Sequence, residues 1–379
     1  MENAYAMITK SKWTWCRRHR FVLTCIGLAL ANCAAKGQTP GLGIFPRGDE
    51  STSRTLEFIR QSDLSRNGPL DVSELQAALK IRYKYIPTWP GRDTMPLTEV
   101  EQAARQADRV RLMTAIRRAG IHRILEKELE EALLRTDDPD IQNSCLWALQ
   151  LIRGRDCGAA NVRYLNVKQH PDVRANLYYQ IALSAGDALT TLSAHLEKSS
   201  EGRNEIMATH EAATIIRAMG WIPTTRTAQS LMKIYDNSSS QSQLRGAALT
   251  ALGNLGIFII PKNQSLAGRT LSDNEFAFRE GDRAWNYNQE AARDERLTSA
   301  TCAQLRSFVL LHAEDPSEVV RRAVVDMAKF MATTDAYRTL ATMAEKDQSP
   351  KVREAAAKSK QELDKLLIVD HRPASAAGR

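Results

Sequence analysis

Cysteine and aromatic side chains are scarce in this sequence, with six cysteines and 6% Phe, Trp and Tyr in 379 residues. No Cys-x-x-Cys pair and no Cys/His cluster of zinc-binding spacing occurs, which excludes the common structural zinc and dithiol motifs. A nucleophile elbow and a phosphate-binding glycine loop are missing too, so neither acyl-transfer nor nucleotide chemistry is signalled. The apolar run at residues 21–31 is too short to span a bilayer comfortably. What the chain does have is 43% hydrophobic and 25% charged residues, a globular balance that buries a sizeable core. Few aromatics suit alanine-rich helical packing.

The formal charge is +8, but Lys10, Lys12, Arg17, Arg18 and Arg20 against Glu2 put +4 of it in the first 31 residues. The remaining +4 is poor evidence for a nucleic-acid partner, and none is expected. Arg17, Arg18, His19 and Arg20 precede the apolar run, which ends on Ala29-Leu30-Ala31. That order is the pattern of a signal peptide over residues 1–31, with an uncleaved anchor as the alternative, and it places the protein in the periplasm or outside the cell. Cys33 follows a sequence similar to a lipoprotein box, yet Asn32 stands where a small residue is normally required, so a lipid anchor at Cys33 is the minority reading. Export would put Cys145, Cys157 and Cys302 where disulfides form. Two readings stay open: a Cys145–Cys157 bridge, if their helices face each other, or buried thiols.

Residues 32–50 are rich in glycine and proline and read as a linker. The segment 63–74 then sets oxygen-bearing side chains at alternating positions: Asp63, Ser65 and Asn67, followed by Asp71 and Glu74, with Gly68 at the turn and the carbonyl of Pro69 between. Calcium is a hard cation that takes roughly six to eight oxygen ligands, and short side chains on alternate loop residues closed by a longer glutamate supply them. Leu56, Phe58 and Ile59 before the loop and Val72, Leu75, Ala78 and Leu79 after it give both flanks an apolar face.

On these residues the segment resembles an EF-hand. The resemblance implies that Asp63, Ser65, Asn67, Pro69, Asp71 and Glu74 hold Ca²⁺. Pro90, Arg92 and Thr94 occupy ligand positions of a second, degenerate hand ending at Glu101, so residues 51–118 form the expected module. Three carboxylates predict a modest affinity of about 10⁻⁴–10⁻³ M and a structural role for the ion. The competing reading is an Asn-Gly turn between two helices, with Asp71 as the cap of the second.

From residue 119 to 369 the sequence repeats. Residues 244–256 carry Leu244, Ala247, Ala248, Ala251, Leu252 and Leu255 on one helical stripe, and variants of that stripe recur. Ile141 to Val173 is 32 residues, Gly220 to Gly253 is 33 and Val320 to Val352 is 32. Pro139, Pro171, Pro316 and Pro350 fall at the turn or first helical position, where a missing N–H costs nothing. Val or Leu followed by Arg and small residues, with Asp-Pro upstream, resembles the short HEAT repeats found also in phycobilisome lyase-like proteins. That resemblance implies an all-α fold, a right-handed α-α superhelix whose second helices form a concave surface for a protein partner.

The interval from Leu244 to Val320 is 76 residues and holds an insert, residues 257–295, with Phe276, Phe278, Trp285 and Tyr287. These aromatics either anchor a partner or cover an irregular junction. Residues 370–379 read as a disordered tail. The expected function is therefore an exported, calcium-stabilised binding scaffold. The alternative is a lyase-like or other enzyme on the same repeats. The single His210-Glu211 pair is too little for the two-iron site that deoxyhypusine hydroxylase, another short-HEAT protein, builds from several such pairs.

Overall fold

A computed structural model describes residues 50–83, 99–167, 170–184, 187–199, 205–238, 241–258, 269–271, 295–331 and 333–369. Among the described residues the chain is all-α apart from one short ladder. The helices are α1 Glu50–Asn67, α2 Val72–Leu79, α3 Glu99–His122, α4 Glu126–Arg135, α5 Pro139–Arg153, α6 Gly158–Val167, α7 Pro171–Ala182 and α8 Ala188–Ser199. They continue with α9 Glu205–Met219, α10 Thr225–Asn237, α11 Ser242–Gly256, α12 Ser299–Leu311, α13 Glu318–Met331, α14 Thr334–Lys346 and α15 Pro350–Leu366. None is long and apolar enough to cross a membrane.

Helix starts follow local chemistry. Pro139, Pro171 and Pro350 open α5, α7 and α15, where proline's fixed φ suits the first turn. The helices between use threonine instead: the hydroxyls of Thr224, Thr298 and Thr333 accept from the N–H of Thr227, Thr301 and Ala336 and cap α10, α12 and α14.

The helices sort into two sets. From α3 to α15 each odd-numbered helix packs on the next odd-numbered one, and each even-numbered helix from α4 to α14 lies against the odd helix that follows it. The core runs along the odd set through Ile116, Leu146, Leu177, Ile216, Leu252 and Val324, all fully or almost fully buried. Small residues let these helices approach closely. A Cβ on Gly220 would lie 2.6 Å from the Ala251 Cα, and one on Gly120 would lie 2.7 Å from the Ala148 Cβ.

The long interval before Val320 is one repeat and an insert, because α11 packs directly on α13 and the Arg245 guanidinium bonds the Asp315 carboxylate. Residues 269–271 of the insert form β1, antiparallel to β2 at Leu367–Val369, with Arg269 opposite Val369. The helical pattern alone does not predict that ladder. The insert's far end is fixed to the start of α10 by a bridge between Thr224 and Arg296 and by the Thr225 hydroxyl donating to the Glu295 carbonyl. Helix α3 runs through residues 118–119, so the expected loop module and the repeats share one helix. The signal segment 1–31, the linker up to residue 49, Cys33, the loop of the second hand at 90–98, the insert's four aromatics and the tail 370–379 lie outside the described residues.

Candidate functional site

The Asp63–Glu74 segment is a tight corner between α1 and α2. Nothing between Asp63 and Asn67 breaks a helix, so α1 continues to Asn67. Gly68 turns the chain at φ +73°, a conformation that glycine adopts at little cost. Pro69 and Leu70 lead to Asp71, whose carboxylate accepts from the Glu74 N–H at 3.0 Å and caps α2.

Asp63, almost fully buried, is the centre of this corner. Its carboxylate accepts from three donors: Asn67 Nδ2 at 2.9 Å, Arg118 Nε at 3.0 Å and His122 Nε2 at 3.0 Å. Arg118 also donates through Nη2 to the Gly68 carbonyl at 3.0 Å. Burial alone pushes the Asp63 carboxyl up. Hydrogen bonds from His122 and Arg118, with their charges, outweigh that and hold it below the ordinary aspartate range.

The six expected ligand positions are divided between the end of α1 and the turn into α2. Successive α-helical residues are rotated by about 100°, so alternate residues such as Asp63 and Ser65 face nearly opposite ways. Ser65 donates instead to the Ser62 carbonyl at 3.1 Å, and Ser65, Pro69, Asp71 and Glu74 are exposed while Asp63 is buried. Among the described residues no group of three or more His, Cys, Asp or Glu side chains is placed to hold a metal. The Arg118 guanidinium, 3.0 Å from Asp63, already supplies a positive charge beside that carboxylate.

A second set of polar groups joins successive odd helices. Arg109 of α3 reaches Asp138 and Asp140 at the head of α5, Arg174 of α7 reaches Glu211 of α9, and Arg245 of α11 reaches Asp315 before α13. Arg321 of α13 grips Asp347 before α15 with Nε at 2.8 Å and Nη2 at 3.1 Å, and both side chains are almost fully buried. The arginine of the repeated Val/Leu-Arg pair at 173–174, 244–245 and 320–321 is thus the tie to the following repeat. His210 is exposed, and its neighbour Glu211 is bound by Arg174 and the Tyr178 hydroxyl, so the pair does not face one centre.

Between α5 and α7 the tie is one amide pair, Asn176 to Asn143, reached by a chain of amides from Asn161 on α6. Asn161 Nδ2 donates to Gln180 Oε1 at 3.1 Å, Gln180 Nε2 to Asn176 Oδ1 at 3.5 Å, and Asn176 Nδ2 to Asn143 Oδ1 at 3.2 Å. This relay rises from buried Asn161 and Gln180 to the half-buried pair Asn176 and Asn143. Trp147 and Tyr179, also half-buried, stand one turn further along the same helix faces. Burial raises the Tyr179 hydroxyl pKa, partly offset by the charge of Arg217 on α9.

Cys145, Cys157 and Cys302 are buried thiols, and burial pushes Cys157 up to about 11. That keeps it protonated and unreactive at neutral pH.

A scan against protein-family models matches none of them, and a search of curated proteins finds no match. Sequence reasoning missed Arg118 and His122. Their spacing of four on α3 puts both on one helix face, a pattern that could have flagged a buried carboxylate partner.

Proposed function

We propose that this chain is a HEAT-like α-solenoid that holds an extended polypeptide along its odd-numbered helices, with Asn143, Trp147, Asn176 and Tyr179 as the centre of the contact. The observation that carries this reading is the linked pair Asn143–Asn176 on neighbouring odd helices, flanked by two half-buried rings. A primary amide offers both a donor and an acceptor, the complement of a peptide backbone. Aromatic rings supply contact area at low cost in conformational entropy. The Arg-to-carboxylate ties and the glycine contacts keep those helices in fixed register, which preorganises the surface. The solenoid reading draws support from the ordered packing of odd helix on odd helix.

Panning a random linear peptide library against the purified chain tests this. Selected peptides are expected to lose roughly 30-fold or more in affinity for the Asn143→Ala/Asn176→Ala variant, the equivalent of two hydrogen bonds of about 1 kcal/mol each or slightly more. The variant's helical circular dichroism should match the parent's. Peptides that bind this variant and Trp147→Ala as well as they bind the parent would refute the proposed surface.

A further inference from the structure

We infer that the Arg118 guanidinium is the resident cation of the Asp63–Glu74 corner, so that the α1–α2 hairpin is a metal-independent cap on the first helix of the stack. The geometry that an ion would have to organise is already made by one side chain. Nε bonds Asp63 at the start of the corner, and Nη2 bonds the carbonyl of Gly68 at its turn. A guanidinium is rigid, planar and permanently charged, so it fixes both oxygens at once, and it needs far fewer ligands than calcium does. Ser65 is therefore released to a local carbonyl and the helix can run through Asn67.

Arg118 and Asp63 are both almost fully buried, which places the pair inside the joint. Other ties point the same way. Arg60 Nε donates to the Ile121 carbonyl at the end of α3 at 3.1 Å, Gln76 donates to Glu128 of α4 at 2.9 Å, and Arg135 donates to the Leu79 carbonyl at the end of α2. Leu75, Ala78 and Leu79 of α2 are buried in the same core as Leu112 and Ile116 of α3. The hairpin thus covers an apolar edge that a terminal repeat would otherwise expose.

The test is calorimetric titration of the full chain with calcium chloride, together with thermal unfolding in millimolar calcium and in chelator. The parent is expected to give no saturable heat and the same midpoint in both conditions. Arg118→Gln is expected to unfold several degrees lower than the parent. Arg118→Lys should fall between them, since it keeps the charge but cannot reach both oxygens with a planar fork. Saturable calcium binding by the parent, abolished in Glu74→Gln and accompanied by a raised midpoint, would overturn the inference. So would an Arg118→Gln midpoint equal to the parent's. The calcium titration uses only folded parent protein, so it decides the question of the ion even if a variant fails to fold.

Discussion

Arg321→Met is expected to lower the unfolding free energy by about 3–5 kcal/mol, because it leaves the Asp347 carboxylate buried without its countercharge. Arg321 also donates to the carbonyls of Asp315 and Pro316, at 2.8 Å and 3.1 Å, so one guanidinium holds the heads of α13 and α15 together. The double variant Arg321→Met/Asp347→Leu should recover most of the loss, since an apolar pair of similar volume removes the desolvation cost together with the attraction. About 1 kcal/mol or more should stay missing, because the Ser349 N–H ahead of α15 loses the Asp347 carboxylate and the carbonyls of Asp315 and Pro316 lose the Arg321 donor. Urea unfolding of the three proteins checks this. A single-variant loss below about 1 kcal/mol, the range of exposed ion pairs, would mean that the joint is open to water.

Gly220→Val is the second large effect, with an expected loss of about 2–3 kcal/mol or more from overpacking. A Cβ there would meet the Ala251 Cα at 2.6 Å and the Ala251 carbonyl oxygen at 2.8 Å, and backbone cannot rotate away as a side chain can. Only a shift of α11 relative to α9 makes room, and α11 is also held by α10, α12 and α13. Gly68→Ala is the control: nothing lies within 4 Å of its Cβ, so its cost is left-handed backbone strain alone, about 1 kcal/mol. Equal losses in the two variants would contradict close contact between α9 and α11.

The helices are legible in the sequence because short-range chemistry sets them. Apolar stripes of period 3.6 mark their buried faces, and Pro139, Pro171 and Pro350 stand where α5, α7 and α15 begin. The Val/Leu-Arg pair is visible as a repeat, but its role is not. The carboxylates it reaches lie 26 residues away for Arg321, 37 for Arg174 and 70 for Arg245. The corner at Asp63 is ambiguous for the same reason. Ser, Asn and Asp at alternate positions satisfy a calcium pattern and a helix-to-turn pattern equally well, and the residues that favour the second, Arg118 and His122, are 55 and 59 positions downstream. The β1–β2 ladder is a backbone pairing between residues almost a hundred apart, with no alternating pattern to announce it.

The most direct test of the scaffold reading is photo-crosslinking with a peptide selected on the parent chain. Benzoylphenylalanine would replace Trp147 on α5 in one protein and Ala194, exposed on the even-numbered α8, in another. A covalent adduct from position 147, absent from position 194 and suppressed by excess unlabelled peptide, is the predicted result. An adduct from position 194 alone would place the bound peptide on the other set of helices and contradict the account.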